Sequence, residues 1–314
     1  MIKPNHRAEA NGLKQQLLQY QFNGRRLPGL VDDNTAFVLT AQLIDSLRRI
    51  RYVHHIRDAK HSPRKETPWS GAFDPLCAAV LKNRRGELNE AWWLVFLATH
   101  FGKHIKDKWA LTEAVYGKLN QGGVWDWLSI EPRQHDFRIW LQQNLNQLAG
   151  AHNRKRFSNH RKYETLNPAS PNGLPTVVNS YVEWMRNAGG PAQLIRRIHN
   201  ARGQQPETTF DALYEEMKAV KRFGRLGTFD FLTMLGKLGI APIEPGSAYL
   251  RSATGPKRGA RLLFLGSADE GSSDMMLDQW VADLDRALHV GPQVLEDALC
   301  NWQKSPSSHI YFRG

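Results

Sequence analysis

"TGPKRGARLLFLG", Thr254 to Gly266, places two glycines four residues apart around a proline and two basic side chains, directly ahead of an apolar helical run. Glycines tolerate positive φ and leave backbone N–H groups open to close approach. The start of the helix that follows is electropositive. Gly255, Lys257, Arg258, Gly259 and Arg261 are therefore expected to grip an anion. The same residues also fit a plain helix–helix turn with solvated basic side chains. Upstream, "SAYLRSAT" reads as a short helix, which predicts a helix, a glycine-rich hairpin and a second helix in succession.

Outward from this stretch the dominant periodicity is helical, and no run of alternating strands, internal repeat or low-complexity tract is found. "DDNTAFVLTAQLIDSLRRIRYV" starts at capping residues, Asp33 or Asn34, and ends on a basic tail suited to a helix C-terminus. "ELNEAWWLVFLATHFGK" is the most apolar helix and is expected to centre the core of the first half, with Trp92, Trp93, Phe96, Leu97 and Phe101 around its circumference. "RQHDFRIWLQQNLNQLAG" is expected to end at Gly150 as a C′ glycine. In the second half, helices are predicted over 176–188, 191–202, 208–222 and 228–238.

Between about 151 and 175 the character changes. "NRKRFSNHRK" holds five Lys or Arg in ten residues, and prolines and turn formers follow. This reads as an exposed connection between an N-terminal lobe, 1–165, and a C-terminal lobe, 166–314. Arg154, Lys155, Arg156, Arg161 and Lys162 are expected to meet phosphate, with Phe157 and Tyr163 stacking on bases or anchoring the loop.

The bulk numbers bound the class. The 314 residues include ten tryptophans, enough for a substantial core, and Lys and Arg outnumber Asp and Glu to give a net charge of +12. That excess points to a polyanionic partner such as nucleic acid or an anionic membrane. No apolar run approaches the roughly 20 residues a membrane span needs, and the N-terminus lacks a signal-peptide core. Cys77 and Cys300 are expected as buried thiols in a reducing cytoplasm. The chain lacks a phosphate-binding G-x-x-x-x-G-K-[ST] loop and the H-x-E and P-C-x-x-C pairs of zinc deaminases. Two cysteines cannot hold an iron–sulfur cluster. His100 and His104 are spaced for one helix face, but no third ligand is suitably spaced; a structural or substrate-contacting histidine is expected and no metal or cofactor. Arg225 and Asp230 of "GRLGTFDF" are read as pocket-shaping or capping residues.

"TGPKRGARLLF" resembles the hairpin pattern G-x-G-[PR]-K-T-A-x-x-[VIL]-[VIL] of the helix-hairpin-helix DNA glycosylase superfamily. Gly255, Pro256 and Lys257 match it; Ala253 or Thr254 falls where the first glycine belongs, and Arg258-Gly259 replaces the usual Thr-Ala. "LDQWV" resembles the segment that carries the superfamily's catalytic aspartate, and Asp278 falls on that residue, 21 positions after Lys257. Asp274 and Asp269 are the fallback positions. The longer blocks "GAFDPLCAAVLKNRRGELNEAWWLVFLATHFGKH" and "RFGRLGTFDFLTMLGKLGIAPIEPGSAYL" resemble the alpha-glutamyl/putrescinyl thymine pyrophosphorylase clade of that superfamily.

The resemblance implies an all-α, two-lobed helix-hairpin-helix glycosylase-like fold and a monomeric enzyme acting on hypermodified DNA. Its first implied activity is excision of a base such as glucosylated hydroxymethylcytosine from phage DNA, in defence. Ionised Asp278 would stabilise positive charge on the sugar and orient water, after the base is flipped out at a cost of roughly a few kcal/mol. Lys257 is expected to bind phosphate, with lyase chemistry as the lesser alternative. The second implied activity is a transferase that displaces pyrophosphate from an activated 5-hydroxymethyluracil with an amine or amino acid. A DNA-binding module without chemistry is the third.

Overall fold

The computed structural model describes residues 2–150 and 155–312. Among these residues there are fourteen α-helices and no strand, only isolated bridges such as Phe22 with Arg25 and His104 with Lys108. In chain order the helices are α1 (Arg7–Gln19), α2 (Asp33–Asp58), α3 (Pro75–Arg84), α4 (Leu88–Phe101), α5 (Ala110–Tyr116), α6 (Trp127–Ile130) and α7 (Gln134–Ala149). They continue with α8 (Leu174–Ala188), α9 (Pro191–Arg202), α10 (Pro206–Glu216), α11 (Arg225–Lys237), α12 (Gly255–Leu265), α13 (Asp274–Leu288) and α14 (Pro292–Trp302). The four helices expected after residue 175 correspond to α8 to α11. The cap of α2 falls one residue before the expected pair: Asp32 Oδ1 accepts from Thr35 N–H at 2.7 Å, and Thr35 Oγ1 accepts from Asp32 N–H at 3.2 Å. Gly150 follows α7 with φ −66°, so it is not a left-handed cap.

The chain forms two compact units. One gathers the chain up to Tyr52 with the chain from Pro245 onward; the other is Val53–Glu244. The division expected at residue 165 lies inside the second unit. The basic connection is therefore part of that unit, and the first is assembled from the two ends of the chain.

In the second unit α4 is the centre. Trp92, Trp93, Phe96 and Phe101 are fully buried. Phe96 stacks on Tyr181 with centroids 4.0 Å apart, and on Phe223 at 4.9 Å. Trp93 Nε1 donates to the Trp125 carbonyl at 2.7 Å, so the indole loses no hydrogen bond on burial. Such rings bury roughly 150–250 Å² each, at about 25 cal/mol per Å². The α4 helix is apolar all round because every side of it meets protein.

In the first unit α1, the first turns of α2, α12, α13 and α14 share a core of Leu17, Leu43, Leu263, Phe264, Leu277, Leu284, Leu295 and Trp302. The α12–α14 packing explains both glycines of the opening stretch. A Cβ on Gly259 would lie 2.2 Å from the Leu299 carbonyl oxygen, and one on Gly255 would lie 2.6 Å from Cys300 Sγ. Neither residue has positive φ. They let two helix backbones approach, instead of forming a turn. Cys77 and Cys300 are both free thiols, and burial pushes the Cys77 thiol up to about 12.

Candidate active site

The expected hairpin is replaced by the start of a helix. Ser247–Thr254 is not helical: Pro242, Pro245 and Gly246 interrupt the chain, and Tyr249 and Ser252 adopt φ of 50° and 62°. Ala253 N–H donates to the Leu250 carbonyl at 2.8 Å, closing a tight turn. Gly255 to Gly259 is then the first part of α12, with Pro256 in its first turn, where the missing N–H costs no bond.

This placement aligns three cations along the first two turns of α12. Lys257 Nζ lies 2.7 Å from Asp274 Oδ1. Arg258 Nη1 lies 2.5 Å from Asp269 Oδ1, and Arg261 Nε donates to Ser272 Oγ at 3.2 Å. All three partners lie on the loop between α12 and α13 or on the first turn of α13. Gly266, with φ 79°, ends α12 and turns the chain into that loop. Ser273 caps α13 by accepting from Met276 N–H. The two fallback aspartates, Asp269 and Asp274, are thus ion-pair partners of two of the basic residues expected to hold phosphate.

Asp278 sits one turn further along α13, partly buried. Its Oδ1 and Oδ2 both receive the Leu250 N–H, at 2.9 and 3.2 Å. The carboxylate is thereby fixed to the turn that leads into α12. Cations on one helix start and an oriented carboxylate on the next stand on elements that share one core. Cations of this kind can hold an anionic group, and an oriented carboxylate can accept a proton.

The basic connection is not a uniform phosphate-facing run. Arg154 lies outside the described residues. Lys155 is half-buried, with its N–H donating to the Leu148 carbonyl at 3.0 Å. Arg156 makes two bonds to Asp107, at 2.8 and 2.7 Å. Lys162 lies over the ring of Tyr163, which is itself 80% exposed. Phe157 packs against Phe101 and His100, so it anchors the segment.

Arg161 turns inward. Its side chain is only 10% exposed, its Nη2 lies 2.9 Å from Asp230 Oδ2, and its Nε donates to the Thr99 carbonyl at 3.0 Å. Gly227 leaves room for it: a Cβ there would meet Arg161 Nη1 at 3.2 Å. Burial raises the Asp230 carboxyl above its ordinary value, although Arg161, His160, Arg225 and Lys237 all act in the other direction. His100, 2% exposed, lies nearly parallel to the Phe96 and Phe223 rings with its centroid 6.1 Å from each, and its Nε2 has no hydrogen-bond partner among the described residues. Burial, with Arg161 and Arg222 nearby, lowers its imidazole to about 3, so it is neutral. His104 lies beyond the end of α4, bridged to Lys108, and does not share a helix with His100. Among the described residues no cluster of three or more His, Cys, Asp or Glu could hold a metal. Sequence reading named Asp230 and Arg161 separately; nothing in a one-dimensional pattern pairs residues 69 positions apart.

Together these features define an all-α protein with a cationic helix start facing a carboxylate-bearing helix, and no helix among the described residues is long and apolar enough to cross a membrane. Residues 34–314 match the profile of the alpha-glutamyl/putrescinyl thymine pyrophosphorylase clade 3 family. The chain belongs to that family. No curated protein and no solved structure matches it.

Proposed function

We propose that the chain is a DNA-base-modifying transferase, which displaces pyrophosphate from a 5-(pyrophosphoryloxymethyl)uracil in DNA by an amine or amino acid. The observation that supports this most is the row of Lys257, Arg258 and Arg261, each resting against a carboxylate or hydroxyl of the α12–α13 loop or of the first turn of α13. A diphosphate offers oxygens of the same kind with more charge, and exposed ion pairs such as Arg258–Asp269 are weak enough to exchange. In the reaction the amine lone pair forms a C–N bond to the 5-methylene carbon. The C–O bond to the diphosphate breaks, and pyrophosphate leaves with that electron pair, its charge met by the three cations. The surplus ammonium proton passes to a carboxylate, for which Asp278 is the assigned group.

A second reading, excision of a hypermodified base, is favoured by one observation: Asp278 is oriented by the Leu250 N–H on the helix that follows the cationic one. There the carboxylate stabilises the developing sugar cation and positions water. In either reading the partner is DNA, the net positive charge assists binding, and affinity falls with salt.

One experiment separates the two. DNA bearing pyrophosphorylated 5-hydroxymethyluracil is incubated with the protein and an amine donor, then analysed for released pyrophosphate, nucleoside masses and alkali-labile sites. Pyrophosphate with an amine-substituted nucleoside supports the transferase. Abasic sites, on this DNA or on glucosylated phage DNA, support excision. Neither product on any modified DNA rejects both.

A further inference from the structure

In the second unit the chain from Lys118 to Gly123, "KLNQGG", follows an unusual path. Lys118, Leu119 and Asn120 have φ of 47°, 52° and 63°, three consecutive non-glycine residues in the left-handed region. L-residues visit that region singly, and a run of three is costly. The surroundings hold it in place. Asn120 N–H donates to the Gly117 carbonyl at 2.9 Å and Gln121 N–H to the Lys118 carbonyl at 3.0 Å. Trp69 Nε1 donates to the Gly117 carbonyl, Trp140 Nε1 to Gln121 Oε1, and Gln121 Nε2 to Asn144 Oδ1.

The enforced path brings Lys118 Nζ 4.1 Å from the ring centroid of Trp125, with the Arg133 guanidinium 6.0 Å from the same ring. Among the described residues neither cation has an ion-pair partner. Burial, then Arg133, lowers the Lys118 ammonium below its ordinary value; Asp126 alone acts to raise it. Asp126 is occupied in capping α6, accepting from Ser129 N–H at 2.9 Å. Two like charges thus converge on one indole, and the one acid acting on Lys118, Asp126, is held in the α6 cap without forming an ion pair with either cation. Beside them Gly122 and Gly123 are exposed, with φ of 89° and 70° and N–H groups that make no hydrogen bond among the described residues. A Cβ on Gly122 would meet nothing within 4 Å, and one on Gly123 only Lys118 Nζ, at 3.8 Å.

We infer that Lys118 and Arg133, with the open Gly122–Gly123 backbone, form a phosphate-binding subsite of the second unit, built from other residues than the cations of α12. A phosphate group matches the donors: a point-charge ammonium, a guanidinium fork and unhindered backbone N–H groups. Strain and an excess of positive charge at one place are both accounted for by an anion that arrives with the substrate. The inference rests on the reading that the chain works on DNA carrying a diphosphate. Both a DNA phosphodiester and free pyrophosphate have the required chemistry.

The full chain and its Lys118→Gln/Arg133→Gln variant are titrated with an unmodified 20-base-pair duplex across a range of salt, and separately with inorganic pyrophosphate. Arg133→Gln alone, a change at an exposed side chain, serves if the double variant loses its helical spectrum. A log–log salt slope shallower by about 0.9 per cation removed assigns a DNA phosphate. Pyrophosphate affinity reduced tenfold or more, with an unchanged slope, assigns the free anion. Unchanged binding of both probes overturns the subsite and leaves the proposed function standing. A wild-type chain that binds neither probe overturns both.

Discussion

Lys257 Nζ on the first turn of α12 lies 2.7 Å from Asp274 Oδ1 on the first turn of α13. This ion pair joins one of the residues expected to meet phosphate to a residue considered for catalysis, and it sets the Asp274 carboxylate in competition with any phosphate for Lys257. Asp274→Asn should free Lys257 and strengthen binding of duplex DNA and of pyrophosphate several-fold, with a steeper salt dependence. Lys257→Gln should weaken both. Neither should change stability by more than about 1 kcal/mol, because the pair is partly solvated. Titration at several salt concentrations, beside thermal melting, checks this.

Asp278 carries the chemistry in both functional readings, so Asp278→Asn should lower the rate of product formation by about 10² to 10⁴. The amide can still accept from Leu250 N–H through its Oδ1, so DNA affinity should hold. Asp269→Asn should leave the chemical step nearly intact. A single-turnover assay with the three proteins decides it; equal losses at Asp269 and Asp278 would remove the assignment.

Two helical glycines should respond oppositely to alanine. A Cβ on Gly12, inside α1, would meet nothing within 4 Å, and Gly12→Ala should stabilise by about 0.5–1 kcal/mol through helix propensity. A Cβ on Gly259 would meet the Leu299 carbonyl oxygen at 2.2 Å, and Gly259→Ala should destabilise by about 1–3 kcal/mol as α12 is pushed off α14. Urea unfolding of both variants tests the contrast.

Glu90 predicts a pH dependence of stability. It is 7% exposed, and burial raises its carboxyl to about 7 from an ordinary 4.5, despite bonds from Tyr116 Oη at 2.7 Å and Trp127 N–H at 2.6 Å. The folded chain keeps this proton to higher pH than the unfolded chain does. Stability from this group is therefore greatest below about 4.5 and falls as pH rises to about 7, by roughly 3 kcal/mol. Glu90→Gln should remove that slope, leaving the variant closest to or above wild type at pH 8. Denaturant midpoints between pH 5 and 8 measure it; parallel curves for the two proteins would refute the assignment.

Much of the helical plan was legible in the sequence. The apolar circumference of "AWWLVFLATHF" marked α4 as central, and α8 to α11 followed from helical periodicity. The glycines of "TGPKRGA" were misleading because a glycine demanded by a neighbouring helix and one demanded by a ligand look alike in sequence. Gly259 reveals its reason only through Leu299, forty residues away. The run around Arg156 and Arg161 read as phosphate-facing, since local pattern contains no information about Asp107 or Asp230.

An all-α chain, rich in buried aromatics and net positive, with cations clustered at 154–162 and 257–261, is written in the order of its residues alone. These properties depend on neighbours three or four residues apart and on composition. Packing of the helices established which of those cations are already neutralised, that the first and last segments of the described chain build one unit, and that the left-handed turn at Lys118–Asn120 sets two cations beside Trp125 that form no ion pair among the described residues. Such outcomes depend on contacts between residues far apart in the chain. Their energies arise from burial, close backbone approach and charge pairing, which exist only once the helices have packed.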